Sequence, residues 1–155
     1  MKVEAPIVPK EQLSTTDFQV LECFANNLTH KEIRRQLVLH KKHLAFVERQ
    51  IARKMGEPQE TMEGVCKAMA WAVTTSILVP SRIPDSSRFS SLDEADLRLF
   101  ELMSRGLTKF RIAQIFNCDS EEVVRRRKRV SNKLGLNTVY TTVALAAYGL
   151  KKIRV

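Results

Sequence analysis

Apolar residues in segment 119–136 recur at the spacing of an amphipathic helix, with polar or charged residues between them. Asp119 followed by Glu122 forms a capping-box pattern that predicts the start of this helix, and Gly135 predicts its end. Five consecutive cations occupy positions 125–129. The pattern predicts a helix with one buried stripe and a densely positive remainder. The buried positions are Val123, Val130 and Leu134.

A second apolar pattern lies immediately upstream. Thr108 is a suitable N-cap for a short helix that ends near Phe116 and turns Ile112 and Ile115 to the same side. Because only residues 117–119 separate it from the basic helix, the two helices must cross steeply through a tight turn. A short helix, a tight turn and a longer helix with a polar face predict a helix-turn-helix unit.

These residues resemble the DNA-binding domain of LuxR/GerE-type transcription regulators. The resemblance covers residues 92–155 and keeps the spacing of the family pattern. It implies a four-helix unit whose third helix enters the major groove of DNA and whose last helix dimerises. The matching positions are Leu92, Asp96, Gly106-Leu107-Thr108, Ile112-Ala113, Val123-Val124 and Lys133-Leu134-Gly135-Leu136.

The chain repeats this pattern. Residues 13–57 align without a gap with residues 92–136, and core positions match in kind where they are not identical. We therefore predict two copies of one unit, repeat 1 (residues 13–79) and repeat 2 (residues 92–155). Identical pairs are Leu13/Leu92, Asp17/Asp96, Glu22/Glu101, Leu28/Leu107, Thr29/Thr108, Ile33/Ile112, Lys54/Lys133 and Gly56/Gly135.

The predicted fold is all-α, with two tandem tetrahelical LuxR-type helix-turn-helix domains. Residues 1–12 contain two prolines and are predicted to form an extended arm, which is either inert or held against the body through Ile7 and Val8. Residues 80–91, rich in Pro and Ser, are predicted to be the linker.

The formal net charge of +9 favours an acidic partner such as nucleic acid. Residues 1–79 carry 11 Lys and Arg against 9 Asp and Glu, a net of +2, whereas residues 80–155 carry 15 against 8, a net of +7. The basic excess therefore lies with the basic helix of repeat 2. A solvated basic face is the alternative interpretation of such a charge run.

We expect the DNA contacts to come mainly from repeat 2. Val124, Arg125, Arg126 and Arg129 are expected to face bases or flanking phosphates. The other expected contacts, made mostly to phosphates, are Thr108, Lys109, Arg111, Ser120, Arg127, Lys128 and Lys133.

The basic helix of repeat 1 is expected to be the weaker of the two on DNA. His40 is a poor helix cap, and Ala45 and Val47 stand where the family usually has lysine and histidine. Val47 is better placed to join the core. The secondary DNA contacts expected from repeat 1 are Lys31, Arg35, Lys41, Lys42, His43, Arg49 and Arg53.

The fourth helix of repeat 1, within residues 58–79, shows two apolar stripes. One stripe suits the core of its own repeat, whereas a three-helix core cannot also cover the other. The second stripe is therefore expected at an interface, either with repeat 2 in an intramolecular pseudo-dimer or with a second chain in a homodimer, which we favour. Its residues are Ala68, Trp71, Thr75 and Leu78.

No catalytic pattern is present, so an enzyme is not expected, and neither is a cofactor. His40 and His43 lack further ligands at metal spacing, and Cys23, Cys66 and Cys118 are expected to be buried thiols. No segment is long and apolar enough to predict a membrane span, and no signal peptide is evident, so we expect a cytoplasmic, nucleoid-associated protein.

The sequence favours a bacterial transcription regulator that binds duplex DNA mainly through repeat 2. In the alternative, repeat 1 makes the chain an interaction module, which binds RNA polymerase holoenzyme, a sigma factor or another regulator. A third interpretation is an RNA-binding or nucleoid protein without sequence preference. It uses the same cations and differs only in specificity.

Overall fold

The computed structural model describes residues 7–81 and 86–153, and the secondary structure of these residues is entirely α-helical. The all-α prediction is confirmed for this part of the chain. Its helices are α1 (Thr15–Ala25), α2 (His30–Leu37), α3 (Lys41–Lys54), α4 (Thr61–Thr74), α5 (Ser86–Phe89), α6 (Glu94–Ser104), α7 (Lys109–Phe116), α8 (Ser120–Lys133) and α9 (Val139–Ile153).

Helices α1–α4 and α6–α9 correspond in order and nearly in length, because equivalent residues give the same local start signals. Ser14 and Asp93 cap α1 and α6, and each forms a complete capping box with an aspartate three residues later. Thr29 and Thr108 cap α2 and α7 through their side chains. His40 makes no side-chain cap bond to α3, as its weak capping propensity predicted.

A buried aspartate holds the first helix to the third in each repeat. The carboxylate of Asp17 lies 2.7 Å from the Lys54 ammonium, and that of Asp96 lies 2.6 Å from the Lys133 ammonium. Both aspartates also bond the backbone N–H of the N-cap residue of their helix. The repeated pair therefore joins a helix start to a distant helix end.

The two repeats pack against each other within the chain through their fourth helices, α4 and α9. Helix α1 also packs against α9, and α4 against α6, so equivalent elements contact each other in both directions. The intramolecular arrangement is therefore an approximate two-fold one.

The fourth helix packs differently in its own repeat. Helix α4 lies chiefly on α3, whereas α9 lies chiefly on α6. The approach of α4 to α3 depends on Gly64, where an added Cβ would overlap the Cα and Cβ of Ala52. The equivalent position in α9 is Val143, which is buried.

Two segments outside the repeats have defined positions. In the arm, Ile7 packs on the core beside Gly106, whereas Val8 is 64% exposed; residues 1–6 lie outside the described part. The predicted linker contains the single turn α5, where Phe89 packs edge-on against Phe100, with ring centroids 6.1 Å apart.

Candidate nucleic-acid interface

The apolar stripe of α8 points into the core and most of its cations point outward. Val123, Val130 and Leu134 are at most 1% exposed, as their spacing predicted. Arg125, Lys128 and Arg129 are exposed, and Arg126 is half-buried. Val124 is 37% exposed and lies beside them. A cationic outer face on a packed helix is the geometry that duplex DNA binding requires.

Arg125 and Arg126 are held in place by Glu122 of α8, and Arg126 also by Phe116 of α7. The Glu122 carboxylate accepts hydrogen bonds from Arg125 and Arg126, and their guanidinium groups lower the pKa of Glu122. Glu122 therefore does not complete the predicted capping box, although Asp119 caps the helix by accepting from the Glu122 N–H. Arg126 also lies over the Phe116 ring, 5.6 Å from its centroid.

Arg127 does not belong to the outer face, so the prediction that it contacts phosphate is wrong. Its side chain is 3% exposed and forms a double hydrogen bond with the buried Glu63 of α4, at 2.7 and 2.9 Å. Burial alone would raise the pKa of Glu63, but the bonds and charge of Arg127 outweigh it and hold this pKa below its usual value. The pair joins the two repeats.

The start of α7 faces α4 of the other repeat. The backbone N–H of Lys109 donates to the Glu63 carboxylate, and its ammonium lies 3.6 Å from Glu60. Thr108 is half-buried and accepts from the Arg111 N–H. Lys109, which was expected at a phosphate, therefore lies at the junction of the repeats.

Lys133 is likewise engaged inside repeat 2. It is 31% exposed and pairs with the buried Asp96, which also lies 3.3 Å from Arg129. Burial alone would raise the pKa of Asp96, but its bonds to Lys133 and to the Asp93 N–H outweigh it, so this pKa is lowered. Arg129 remains 53% exposed and can still reach outward.

The remaining expected contacts of repeat 2 lie at the surface. Arg111 is exposed on α7 and bonds Gln114 at 3.2 Å, and Ser120, half-buried, is the first residue of α8. Of the cations expected on DNA, Arg111, Arg125, Lys128 and Arg129 are exposed and Arg126 is half-buried.

In repeat 1 the structure leaves all the expected secondary contacts exposed, and Val47 joins the core at 4% exposure. Phe46, which the sequence analysis did not single out, is 50% exposed on α3. Phe46 aligns with Arg125, which was predicted to face outward, so the alignment already indicated that Phe46 is exposed. The exposed cations and histidine are Lys31, Arg35, Lys41, Lys42, His43, Arg49 and Arg53.

Equivalent positions of α3 and α8 reach the fourth helix of the opposite repeat. Glu48 aligns with Arg127, and the Tyr140 hydroxyl of α9 donates to Glu48 at 3.3 Å. Glu48 also lies 3.0 Å from the His30 ring. Burial, together with the nearby Glu48 charge, raises the pKa of Tyr140. On one side of the interface the third helix contributes the carboxylate of Glu48, and on the other it contributes the guanidinium group of Arg127.

The structure buries two of the four residues of the expected interface stripe of α4. Trp71 packs beside Phe18 of its own repeat, with ring centroids 6.2 Å apart, and Thr75 is exposed. Ala68 and Leu78 are buried in the core. Atomic contacts with repeat 2 include those of Glu63, Lys67 and Ala70 in α4 and of its N-cap residue Glu60.

Other chemistry is sparse in the described residues. They contain no group of three His, Cys, Asp or Glu side chains that could hold a metal, and none of their helices is long and apolar enough to cross a membrane. Cys23 and Cys66 are buried, and burial raises the pKa of Cys66 to about 12. Cys118 is only half-buried, contrary to expectation.

No family model, no curated protein and no solved structure matches this chain.

Proposed function

We propose that this protein is a transcription regulator that binds duplex DNA, with α7 and α8 acting as the principal helix-turn-helix. The observation that carries the proposal is the outer face of α8, which presents Arg125, Arg126, Lys128, Arg129 and the exposed Val124 while the opposite face is buried. The motifs that resemble LuxR/GerE-type domains support the same function.

The side chains of this face suit different parts of the duplex. Arg125, Arg126 and Arg129 have guanidinium groups that can bind guanine edges in the major groove, and Val124 can contact a thymine methyl group. Arg111 and Lys128 suit the phosphate backbone. Arg127 takes no part, because its side chain is buried in the ion pair with Glu63.

Repeat 1 supports binding by holding repeat 2 in place. A single small helix-turn-helix unit offers few contacts, and such units commonly bind DNA in pairs. Here the second unit belongs to the same chain, since α4 packs on α9 and Glu63 binds Arg127. We propose that repeat 1 takes the place of a dimer partner and adds phosphate contacts through the exposed cations of α2, Lys31 and Arg35.

The test is a titration of the full chain with a pool of genomic duplex fragments at several salt concentrations. Arg125→Ala and Arg126→Ala should each cost about 1–3 kcal/mol of binding free energy and relax sequence preference, because a base contact is lost. Lys128→Ala should weaken binding evenly across sequences and lower the salt slope by about one unit.

Arg105→Ala is the matched control, because Arg105 is exposed and pairs with Glu101 away from α8. It should leave DNA affinity near the wild-type value. The proposal fails if Arg125→Ala and Arg126→Ala behave like this control in both affinity and sequence preference.

A further inference from the structure

The outer face of α3 differs in kind from that of α8. Phe46 is half-exposed at the position that aligns with Arg125, and the half-buried Ala45 aligns with Val124. Val47, which aligns with Arg126, is buried. Base edges are bound mainly through hydrogen bonds, which none of these three side chains can make. The centre of the α3 face is therefore apolar.

A groove lies beside Phe46, between α3 and the start of α1. Its volume is about 300 Å³, and Phe46 and Val47 form its apolar wall. The rest of its lining consists of Ser14, Thr16, Asp17, His43, Gln50 and Lys54, of which Asp17 and Lys54 pair with each other. A groove of repeat 2 that shares three aligned lining positions with it, Asp93, Ala95 and Arg126, is lined mostly by charged side chains. Its other lining residues are Glu94, Arg98 and Phe116.

The two exposed cations that flank Phe46 on α3 have no local counter-charge, because the Asp17 carboxylate in the groove pairs with Lys54. Lys42 and Arg49 lie within one helical turn of it, are exposed, and form no ion pair with any described residue. The one acidic residue of α3, Glu48, is buried and faces α9. On α8, by contrast, Glu122 neutralises part of the charge of Arg125.

We propose that this face of α3 docks an acidic protein segment that inserts an aliphatic or aromatic side chain beside Phe46. Charge complementarity selects the acidic character, because Lys42 and Arg49 have no partner within the described chain. The groove selects the apolar anchor, since an aromatic residue beside a pocket and ringed by polar groups is the usual composition of a binding hot spot.

Duplex DNA fits the same cations, but Ala45 and Phe46 can offer a base edge only apolar contact with a thymine methyl group and no hydrogen bond, so the α3 face lacks the base-binding guanidinium groups that α8 presents. The inference deepens the proposed function: it gives repeat 1 a protein-binding role while α8 contacts DNA. The two faces lie on different helices, so each can be tested without altering the other.

The experiment uses the full chain and a labelled peptide of about 15 residues, built from Asp, Glu and a stripe of Leu, with a second peptide in which Leu is replaced by Ser. Fluorescence anisotropy measures binding. We expect the Leu peptide to bind at least about tenfold more tightly than the Ser peptide. Phe46→Ala should remove most of this difference, and Arg49→Glu should weaken binding of both peptides.

Val124→Ala is the matched control, because Val124 is an exposed apolar residue on the equivalent helix of repeat 2. It should not change peptide affinity. Duplex affinity, measured with the same protein samples, should stay unchanged in Phe46→Ala. Since Phe46 is half-exposed, the variant should keep its fold, which far-ultraviolet circular dichroism checks; Phe46→Gln provides a second variant.

Three results would overturn the inference. The first is equal binding of the Leu and Ser peptides, and the second is a Leu-peptide affinity that folded Phe46→Ala or Phe46→Gln leaves unchanged. The third is a loss of duplex affinity in these variants, which would assign the α3 face to nucleic acid. Failure of the DNA-binding proposal would appear separately, in Arg125→Ala and Arg126→Ala.

Discussion

The two repeats begin from the same local signals and end with different surfaces and different packing. Each has the same order of capped helices and the same buried aspartate–lysine pair. Yet α4 lies on α3 while α9 lies on α6, and α3 presents Phe46 where α8 presents Arg125. Duplicated local sequence therefore fixes the helices but leaves their outer faces and their last contacts free to diverge.

The divergence is most informative at the junction, where equivalent positions carry opposite charges. Arg127 is neutralised by Glu63, whereas Glu48 meets Tyr140 and His30. A buried ion pair adds little net stability, but removal of one partner is costly because it leaves the other charge buried and unpaired. The two repeats therefore contribute different polar groups to the junction.

The largest expected effect is at this ion pair. Glu63→Ala should lower the free energy of unfolding by about 3–5 kcal/mol, because Arg127 would remain buried without a counter-charge. Urea denaturation measures the change. The control is Glu57→Ala, which removes the partner of Lys67 in a partly exposed ion pair. It should lower the free energy of unfolding by about 1 kcal/mol or less.

The double variant Glu63→Leu with Arg127→Met sharpens the comparison. Replacing both buried charges with apolar groups should recover most of the stability lost in Glu63→Ala. If Glu63→Ala costs no more than Glu57→Ala, the pair does not hold the repeats together.

The different packing of α4 can be tested at Gly64. Gly64→Ala should cost about 1–3 kcal/mol of unfolding free energy, because the new Cβ overlaps backbone and side-chain atoms of Ala52. Gly149→Ala is a matched control on α9, where a Cβ meets open space, and it should stabilise the chain by about 0.5–1 kcal/mol. Thermal denaturation of both variants should give shifts of opposite sign; an unchanged or raised melting temperature of Gly64→Ala would contradict the close packing of α4 on α3.

Acid should weaken the junction. The pKa of Glu63 is lower in the folded state than its usual value, so its contribution to stability is complete above about pH 5 and is lost as the pH falls through the lowered pKa. The stability difference between wild type and Glu63→Gln should therefore shrink as the pH falls from about 6 to about 3. Urea denaturation across this range measures it, and a constant difference would contradict the lowered pKa.

The smallest effect concerns the turn before each basic helix. Val38 and Asn117 occupy equivalent positions, and both have a φ of 55°, which a β-branched side chain tolerates poorly. Because Val38 is 88% exposed, Val38→Asn should raise the free energy of unfolding by about 1 kcal/mol without loss of packing. Asn117→Val should lower it by a similar amount, and equal stabilities of the two variants would contradict the strain.

The sequence by itself determined the helices and most of the core. Capping residues such as Ser14, Thr29 and Thr108 act on the next turn of the chain, and the spacing of Val123, Val130 and Leu134 places them on one face. These signals are local or periodic, so they can be recognised without knowledge of any distant partner. The aligned repeat extended the same prediction from one half of the chain to the other.

Only the tertiary structure decided which cations face outward and how the fourth helices pack. Arg127 lies within a run of five cations, and its burial depends on Glu63, far away in sequence. The position of α4 likewise depends on the meeting of Gly64 with Ala52. Such choices arise from pairs of distant residues, and a charge or a small side chain has no fixed role until its partner is in place.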